Sequence, residues 1–279
     1  MFFPAVMAAD AALLVDAKKI YTANNVTVYD FSVAIDGSVN KKKIFIVNDG
    51  IKDPKKFIWI FPGYKPAGDP YAQSPRIFIE NWKMIQLCIK NGYVCIVPDM
   101  GTSMYEMAGM MDEHTVTDMH WLKEAYKHYI FNDFRNAPVI IAGVSTGAEG
   151  AVKFSSVIQN VESIIGMSGT YDFFSLPQSS GEYKIHQRVF GDNAGVWRDE
   201  NPVEILKRSV RMKFYLFCES KSMYFSQAQL LKSQRIANID VVDYLALGKG
   251  KSHNWDFWGS APVIKTLHEI FLKKGAMYE

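Results

Sequence analysis

Apolar residues follow two rhythms along this chain of 279 residues. Short runs in which nearly every position is apolar, many of them β-branched, occur at 56–61, 93–98, 137–141, 161–167, 212–218 and 239–247. Such runs predict strands buried on both faces. Between them, apolar residues return every three or four positions at 77–91, 118–129, 148–159, 226–237 and 261–274, which predicts helices. Ahead of this alternation, residues 26–35 and 43–47 read as an antiparallel hairpin, with Asp36-Gly37 starting its turn. The order predicts an α/β fold: a mostly parallel central sheet with an antiparallel N-terminal hairpin and helices on both faces. Right-handed crossovers then gather the active residues at the carboxyl ends of the strands.

Composition narrows the class. Hydrophobic content of 48% and charged content of 22% are ordinary for a globular protein. A net charge of +2 with no long Lys/Arg block argues against a nucleic-acid surface, and Lys41-Lys42-Lys43 reads as a solvated hairpin end. No run approaches the roughly 20 apolar residues of a membrane span. With no repeat and no Pro/Gly/Ser linker, residues 25–279 read as one domain behind an arm at 1–24. That arm, Phe2-Phe3-Pro4-Ala5-Val6-Met7-Ala8-Ala9-Asp10-Ala11, ends like a signal-peptide cleavage region but lacks a basic start and a long apolar stretch. It reads either as the remnant of an export signal, which would mean a periplasmic or secreted protein, or as a simple apolar arm. Cys88, Cys95 and Cys218 each lie in an apolar run, which predicts buried free thiols and a reducing, cytoplasmic compartment.

The chemistry centres on Ala142-Gly143-Val144-Ser145-Thr146-Gly147, between a predicted strand and a predicted helix. In that context G-x-S-x-G reads as a nucleophile elbow: a strained turn lifts Ser145 Oγ to the top of the sheet, and the two glycines let neighbouring backbone pass close by. An elbow serine needs a base. Of six histidines, His253 stands after the last predicted strand and before the last helix, where the chain order serine, acid, histidine puts it. His120, His128 and His268 fall in helical patterns, His114 and His186 in loops. No pair has zinc-site spacing, so no metal and no cofactor is expected.

The segment Ser252-His253-Asn254-Trp255-Asp256-Phe257-Trp258 resembles the H-x-W-x-(F/Y)-W motif of the α/β-hydrolase family that includes esterase D, the feruloyl esterases and the mycolyltransferases. Phe190-Gly191-Asp192, Trp197 and Asn201-Pro202 are similar to the segment that precedes its seventh core strand. The resemblance runs from about Val26 to the C-terminus. It implies an α/β-hydrolase fold and serine acyl transfer, with Ser145 as nucleophile and His253 as base. It also implies an oxyanion hole built from the backbone N–H groups of Thr146 and of Tyr64, in Phe61-Pro62-Gly63-Tyr64.

One expected group is missing. Aligning Phe217-Cys218-Glu219-Ser220-Lys221-Ser222 with the family's acid loop puts Ser222 where an aspartate belongs. Glu219, at the strand end, is preferred as its substitute, and Asp172, after the preceding strand, is the alternative. The resulting expectation is a serine esterase acting on a small-molecule ester. Loops at 64–76, 100–117 and 173–200 and an aromatic content of 14% point to an apolar or aromatic acyl group. Three alternatives stand beside it: acyl transfer to a sugar or lipid hydroxyl, a peptidase, and a non-catalytic binding protein that has lost the triad acid. Gly248-Lys249-Gly250-Lys251-Ser252 lacks the first glycine of a phosphate-binding loop and reads as flexibility beside His253. Met104, Met107, Met110 and Met111 read as a soft substrate wall or as loose core.

Overall fold

Phe57, Trp59 and Phe61 belong to one apolar layer, Ile58 and Ile60 to another, and all five are buried. Side chains alternate across a strand, so a strand with no exposed position is one covered on both faces. The computed structural model, which describes residues 13–64, 74–107, 116–131 and 137–273, has this strand near the middle of a nine-stranded sheet.

Its strands are β1 (Leu13–Ala23), β2 (Val26–Ile35), β3 (Ser38–Val47), β4 (Lys56–Phe61), β5 (Tyr93–Pro98), β6 (Val139–Val144), β7 (Val161–Met167), β8 (Met212–Phe217) and β9 (Ile239–Asp243), in the spatial order β1-β2-β3-β5-β4-β6-β7-β8-β9. From β5 to β9 every pairing is parallel, while β1, β2 and β3 join antiparallel. Asp36 and Gly37, both at positive φ, close the β2–β3 hairpin in the two-residue turn whose twist matches its strands. Residues 13–23, which the sequence reading leaves in the arm, pair along β2 as an edge strand. Residues 1–12, the candidate signal remnant, lie outside the described residues.

The helices are α1 (Pro75–Asn81), α2 (Met84–Asn91), α3 (Asp118–Tyr126), α4 (Thr146–Ser155), α5 (Gly181–Phe190), α6 (Ala194–Glu200), α7 (Pro202–Arg208), α8 (Phe225–Ser233), α9 (Trp255–Trp258) and α10 (Ala261–Leu272). α3, α4, α7 and α8 pack in the layer that contains Trp59, and α1, α2 and α10 in the layer that contains Ile58. The single helix expected at 77–91 is broken by Lys83 at φ 49, and α1 begins on the Ser74 side chain, which accepts from Ile77 N–H. The stretch 173–200, read from sequence as a loop, carries α5 and α6. They are 10 and 7 residues long.

Cys88 and Cys95 correct the expectation of three free thiols: they form a disulfide between α2 and β5, with Cα atoms 6.7 Å apart, and Cys218 is the free, buried one. An apolar setting signals burial and carries no information about pairing, which depends on α2 folding back on β5. Among the described residues no helix is long and apolar enough to cross a membrane.

Candidate active site

Strand order reverses between β4 and β6, so the loops leaving these two strands diverge and open a crevice at the carboxyl edge of the sheet. Ser145 lies in that crevice, directly after β6. Its backbone is at φ 57 and ψ −129, a strained conformation for a residue with a side chain. The glycines on either side make it possible: a Cβ on Gly143 would lie 1.9 Å from Gly147 O, and one on Gly147 would lie 2.1 Å from Phe61 O. The second contact also shows that the loop after β4 passes against the elbow. Tyr105 Oη donates to Pro62 O at 2.6 Å and pins that loop.

Ser145, His253 and Glu219 come from three strand ends and are hydrogen-bonded in series. His253 Nε2 is 3.3 Å from Ser145 Oγ, and His253 Nδ1 is 2.5 Å from Glu219 Oε1. The carboxylate of Glu219 is fully buried, and its second oxygen accepts from the Ser168 hydroxyl. Burial alone would raise its pKa, but the hydrogen bonds from His253 and Ser168 outweigh it and hold the carboxyl below its ordinary value. Ser168 in turn accepts from Trp258 Nε1 at 3.3 Å, and the Trp258 ring meets His253 edge-on at 4.7 Å. The indole thus braces both the histidine and, through Ser168, the acid.

The segment 248–252 is an anchor where flexibility was expected. A Cβ on Gly248 would lie 2.0 Å from Cys218 O, and Ser220 N–H and Lys221 N–H donate to Gly248 O and Lys251 O at 2.9 and 3.0 Å. These bonds dock the histidine loop on the acid loop. Ser222, the position of the family's aspartate, caps its own turn by accepting from Tyr224 N–H at 3.0 Å. Asp172 is also occupied elsewhere, accepting from Phe174 N–H and Asn201 Nδ2.

Thr146 begins α4, directly after Ser145, so its N–H belongs to the first turn at the positive end of the helix dipole. Tyr64 closes the described part of the loop after β4 and packs on a cluster of Met104, Phe173, Phe190 and Trp197. Met104 is therefore core, while Met110, Met111 and His114 lie outside the described residues. A cleft of about 230 Å³ opens beside this cluster, lined by Phe173, Phe174, Tyr183 and Trp197 with Gln178 and Asp192; none of Ser145, His253 and Glu219 lines it.

Beneath the elbow lies a buried charged cluster absent from the sequence reading. His186 Nδ1 donates to Glu182 O at 2.8 Å, and Nε2 lies 3.1 Å from Glu149 Oε2. Burial disfavours the imidazolium, but the charges of Glu149 and Glu182 override it and raise the His186 pKa. Lys153 and Glu200, both fully buried, pair at 2.6 Å alongside. In sequence Glu149 and Lys153 look like charges on a helical pattern, while Glu182, His186 and Glu200 fall in the stretch read as a loop.

The fold is similar to that of solved structures. S-formylglutathione hydrolase from Agrobacterium tumefaciens aligns with 92% of this chain and 100% of its own, at TM-score 0.66 and 14% identity. The chain has the α/β-hydrolase fold. The fluorophosphonate-binding serine hydrolase FphF of Staphylococcus aureus shares the fold over 95% of this chain and 100% of its own (TM-score 0.61, 14% identity). Esterase B of Lactobacillus rhamnosis does so over 95% and 85% (TM-score 0.58, 14% identity). No family model and no curated protein matches the sequence. Within the α/β-hydrolase fold, Ser145, Glu219 and His253 follow β6, β8 and β9, in the chain order serine, acid, histidine.

Proposed function

We propose that this protein is a serine esterase that hydrolyses a small-molecule carboxylic ester through an acyl-enzyme on Ser145. The observation that carries the reading is the series Glu219–His253–Ser145 across three strand-end loops. With Nδ1 donating to Glu219, His253 Nε2 is an acceptor and can take the Ser145 proton as Oγ attacks the ester carbonyl. The buried carboxylate then faces the imidazolium that forms. Negative charge on the carbonyl oxygen falls to the backbone N–H groups of Thr146 and Tyr64, assisted by the N-terminus of α4. Collapse breaks the ester C–O bond, the leaving alkoxide takes the proton from His253, and water repeats the sequence to release the acid.

Ester hydrolysis is also the activity named for the esterase with the same fold. The binding-protein reading rested on a missing acid, and a carboxylate at 2.5 Å from His253 favours the enzymatic reading instead. The cluster of Phe173, Phe190 and Trp197 on which Tyr64 packs favours an apolar or aromatic acyl group. The test is labelling with a fluorophosphonate probe followed by peptide mapping. The wild-type protein is expected to carry the adduct on Ser145 and to turn over a short nitrophenyl ester. Ser145→Ala is expected to fold and do neither, and an undiminished rate in that variant would overturn the proposal.

A further inference from the structure

Ser168 lies between the nucleophile loop and the acid loop, and its backbone is strained. It follows β7 at φ 57, in the left-handed region, although it carries a side chain and is fully buried. The strands on either side of β7 hold the chain there. On one side Ser145 N–H donates to Met167 O at 2.8 Å; on the other Ser168 N–H donates to Phe217 O at 2.9 Å, two residues before Glu219. Gly169 then passes against the elbow helix, where a Cβ would lie 2.6 Å from Ala148 Cβ. The turn after β7 thus ties the elbow to the acid. Its hydroxyl donates to Glu219 Oε2 and accepts from Trp258 Nε1 at 3.3 Å. An indole N–H only donates and a carboxylate only accepts, so the direction of both bonds is fixed.

We propose that Ser168 is a positioning residue: its hydroxyl fixes the Glu219 carboxylate with Oε1 toward His253 Nδ1, so that a glutamate serves where Ser222 has replaced the family's aspartate. The inference rests on the serine-esterase reading. Glutamate has one more side-chain torsion than aspartate, and a carboxylate held through one oxygen alone can turn about its last bond. The bond from Ser168 to Oε2 removes that freedom. It also gives the charge a second donor at a carboxylate that is fully buried. Glycine would take φ 57 at lower cost but has no hydroxyl to offer, which gives the strain a use. Other ionisable groups facing the pair stay neutral: burial raises the Cys218 thiol and the Tyr171 phenol beside Glu219, and the Tyr224 phenol whose ring packs on His253. Glu182 accepts from the Tyr224 hydroxyl, so its titration is common to wild type and variant and cancels in a comparison. Without the Ser168 donor the carboxylate is less stabilised as an anion. It then pulls harder on the Nδ1 proton and holds the imidazolium to higher pH.

The experiment uses the full chain with a short nitrophenyl ester across pH, and a fluorophosphonate as a check on Ser145. Ser168→Ala keeps Cβ and removes the hydroxyl. Ser168→Gly removes it while suiting φ 57, which secures a folded variant. Both are expected to lower kcat roughly 10- to 100-fold, the worth of one hydrogen bond to a charged group, with KM within about threefold. The acidic limb of kcat/KM against pH is expected to move upward by roughly 1 pH unit. In a Glu219→Gln background, Ser168→Ala should cost less than about twofold, because the hydroxyl acts only through that carboxylate. Turnover within about twofold of wild type in both variants would overturn the assignment. So would a fall in kcat with an unmoved acidic limb, the mark of a merely structural role, or losses that multiply in the double variant. Each of these leaves the esterase reading intact. A wild-type protein that neither turns over ester nor labels at Ser145 would overturn both readings.

Discussion

His253 Nδ1 and Glu219 Oε1 lie 2.5 Å apart across 34 residues of chain. The contact fixes the tautomer: a proton on Nδ1 leaves Nε2 as an acceptor toward Ser145. Replacing Glu219 by Gln presents an amide N–H to the same nitrogen and favours the opposite tautomer. Glu219→Gln is therefore expected to lower kcat by roughly 10³- to 10⁴-fold with little change in KM. Asp172→Asn, which alters a carboxylate bound to Asn201 and Phe174 N–H, is expected to remain within about threefold. Steady-state kinetics of the two variants checks the pair, and the reversed pattern would move the acid to Asp172.

Two histidines separate activity from stability. His253→Ala is expected to lose roughly 10³-fold or more in kcat while melting close to wild type. His186→Ala leaves the fully buried Glu149 carboxyl without its partner, a loss of about 3–5 kcal/mol. For a domain of this size that corresponds to roughly 10 °C in Tm, with kcat below the transition within a few fold. Thermal melts and ester turnover on the same preparations distinguish the two roles.

Gly147 joins the elbow to the loop after β4. A methyl group there would overlap Phe61 O at 2.1 Å and Pro62 O at 2.5 Å, and both are backbone atoms that cannot rotate away. Gly147→Ala is expected to displace the Tyr64 loop, lower stability by about 1–3 kcal/mol and reduce kcat far more than KM. Tm and kinetics, with probe labelling as a check on Ser145, test this. A variant with wild-type values would remove the loop from the site.

Stability should also depend on pH through Glu106. Burial and the neighbouring Asp118 push the Glu106 carboxyl up to about 8. Asp118 is held below its ordinary value despite burial, by hydrogen bonds from Glu106 and Ser103 and by the Lys42 ammonium. The folded protein keeps a proton on Glu106 that the unfolded chain has released between about pH 4.5 and pH 8. Stability contributed by that proton falls as pH rises through this window and levels off above it. Glu106→Gln should flatten the fall, measured as Tm against pH. An unchanged slope would place the protonation elsewhere.

Local patterning by itself determined the strands from β4 to β8, the hairpin turn at Asp36-Gly37 and the elbow at Ser145, because each depends on neighbours in sequence. A doubly covered strand must be apolar at every position, a two-residue turn must tolerate positive φ twice, and an elbow must have room at Gly143 and Gly147. Side-chain order along the chain also singled out His253. Sequence could not decide between Glu219 and Asp172, because the two carboxylates differ only in which loop the sheet brings beside the histidine. The docking of residues 248–252 on the Glu219 loop, the Ser168–Trp258 brace, the Cys88–Cys95 bond and the packing of Tyr224 on His253 belong to the tertiary structure alone. In each, the partners lie on different elements, and their types carry no mark of the contact: a buried glutamate on α5 and an exposed one share the same helical period. Packing decides which charges are buried, and burial gives Glu149, Glu182 and His186 the strong interactions that an exposed face would screen.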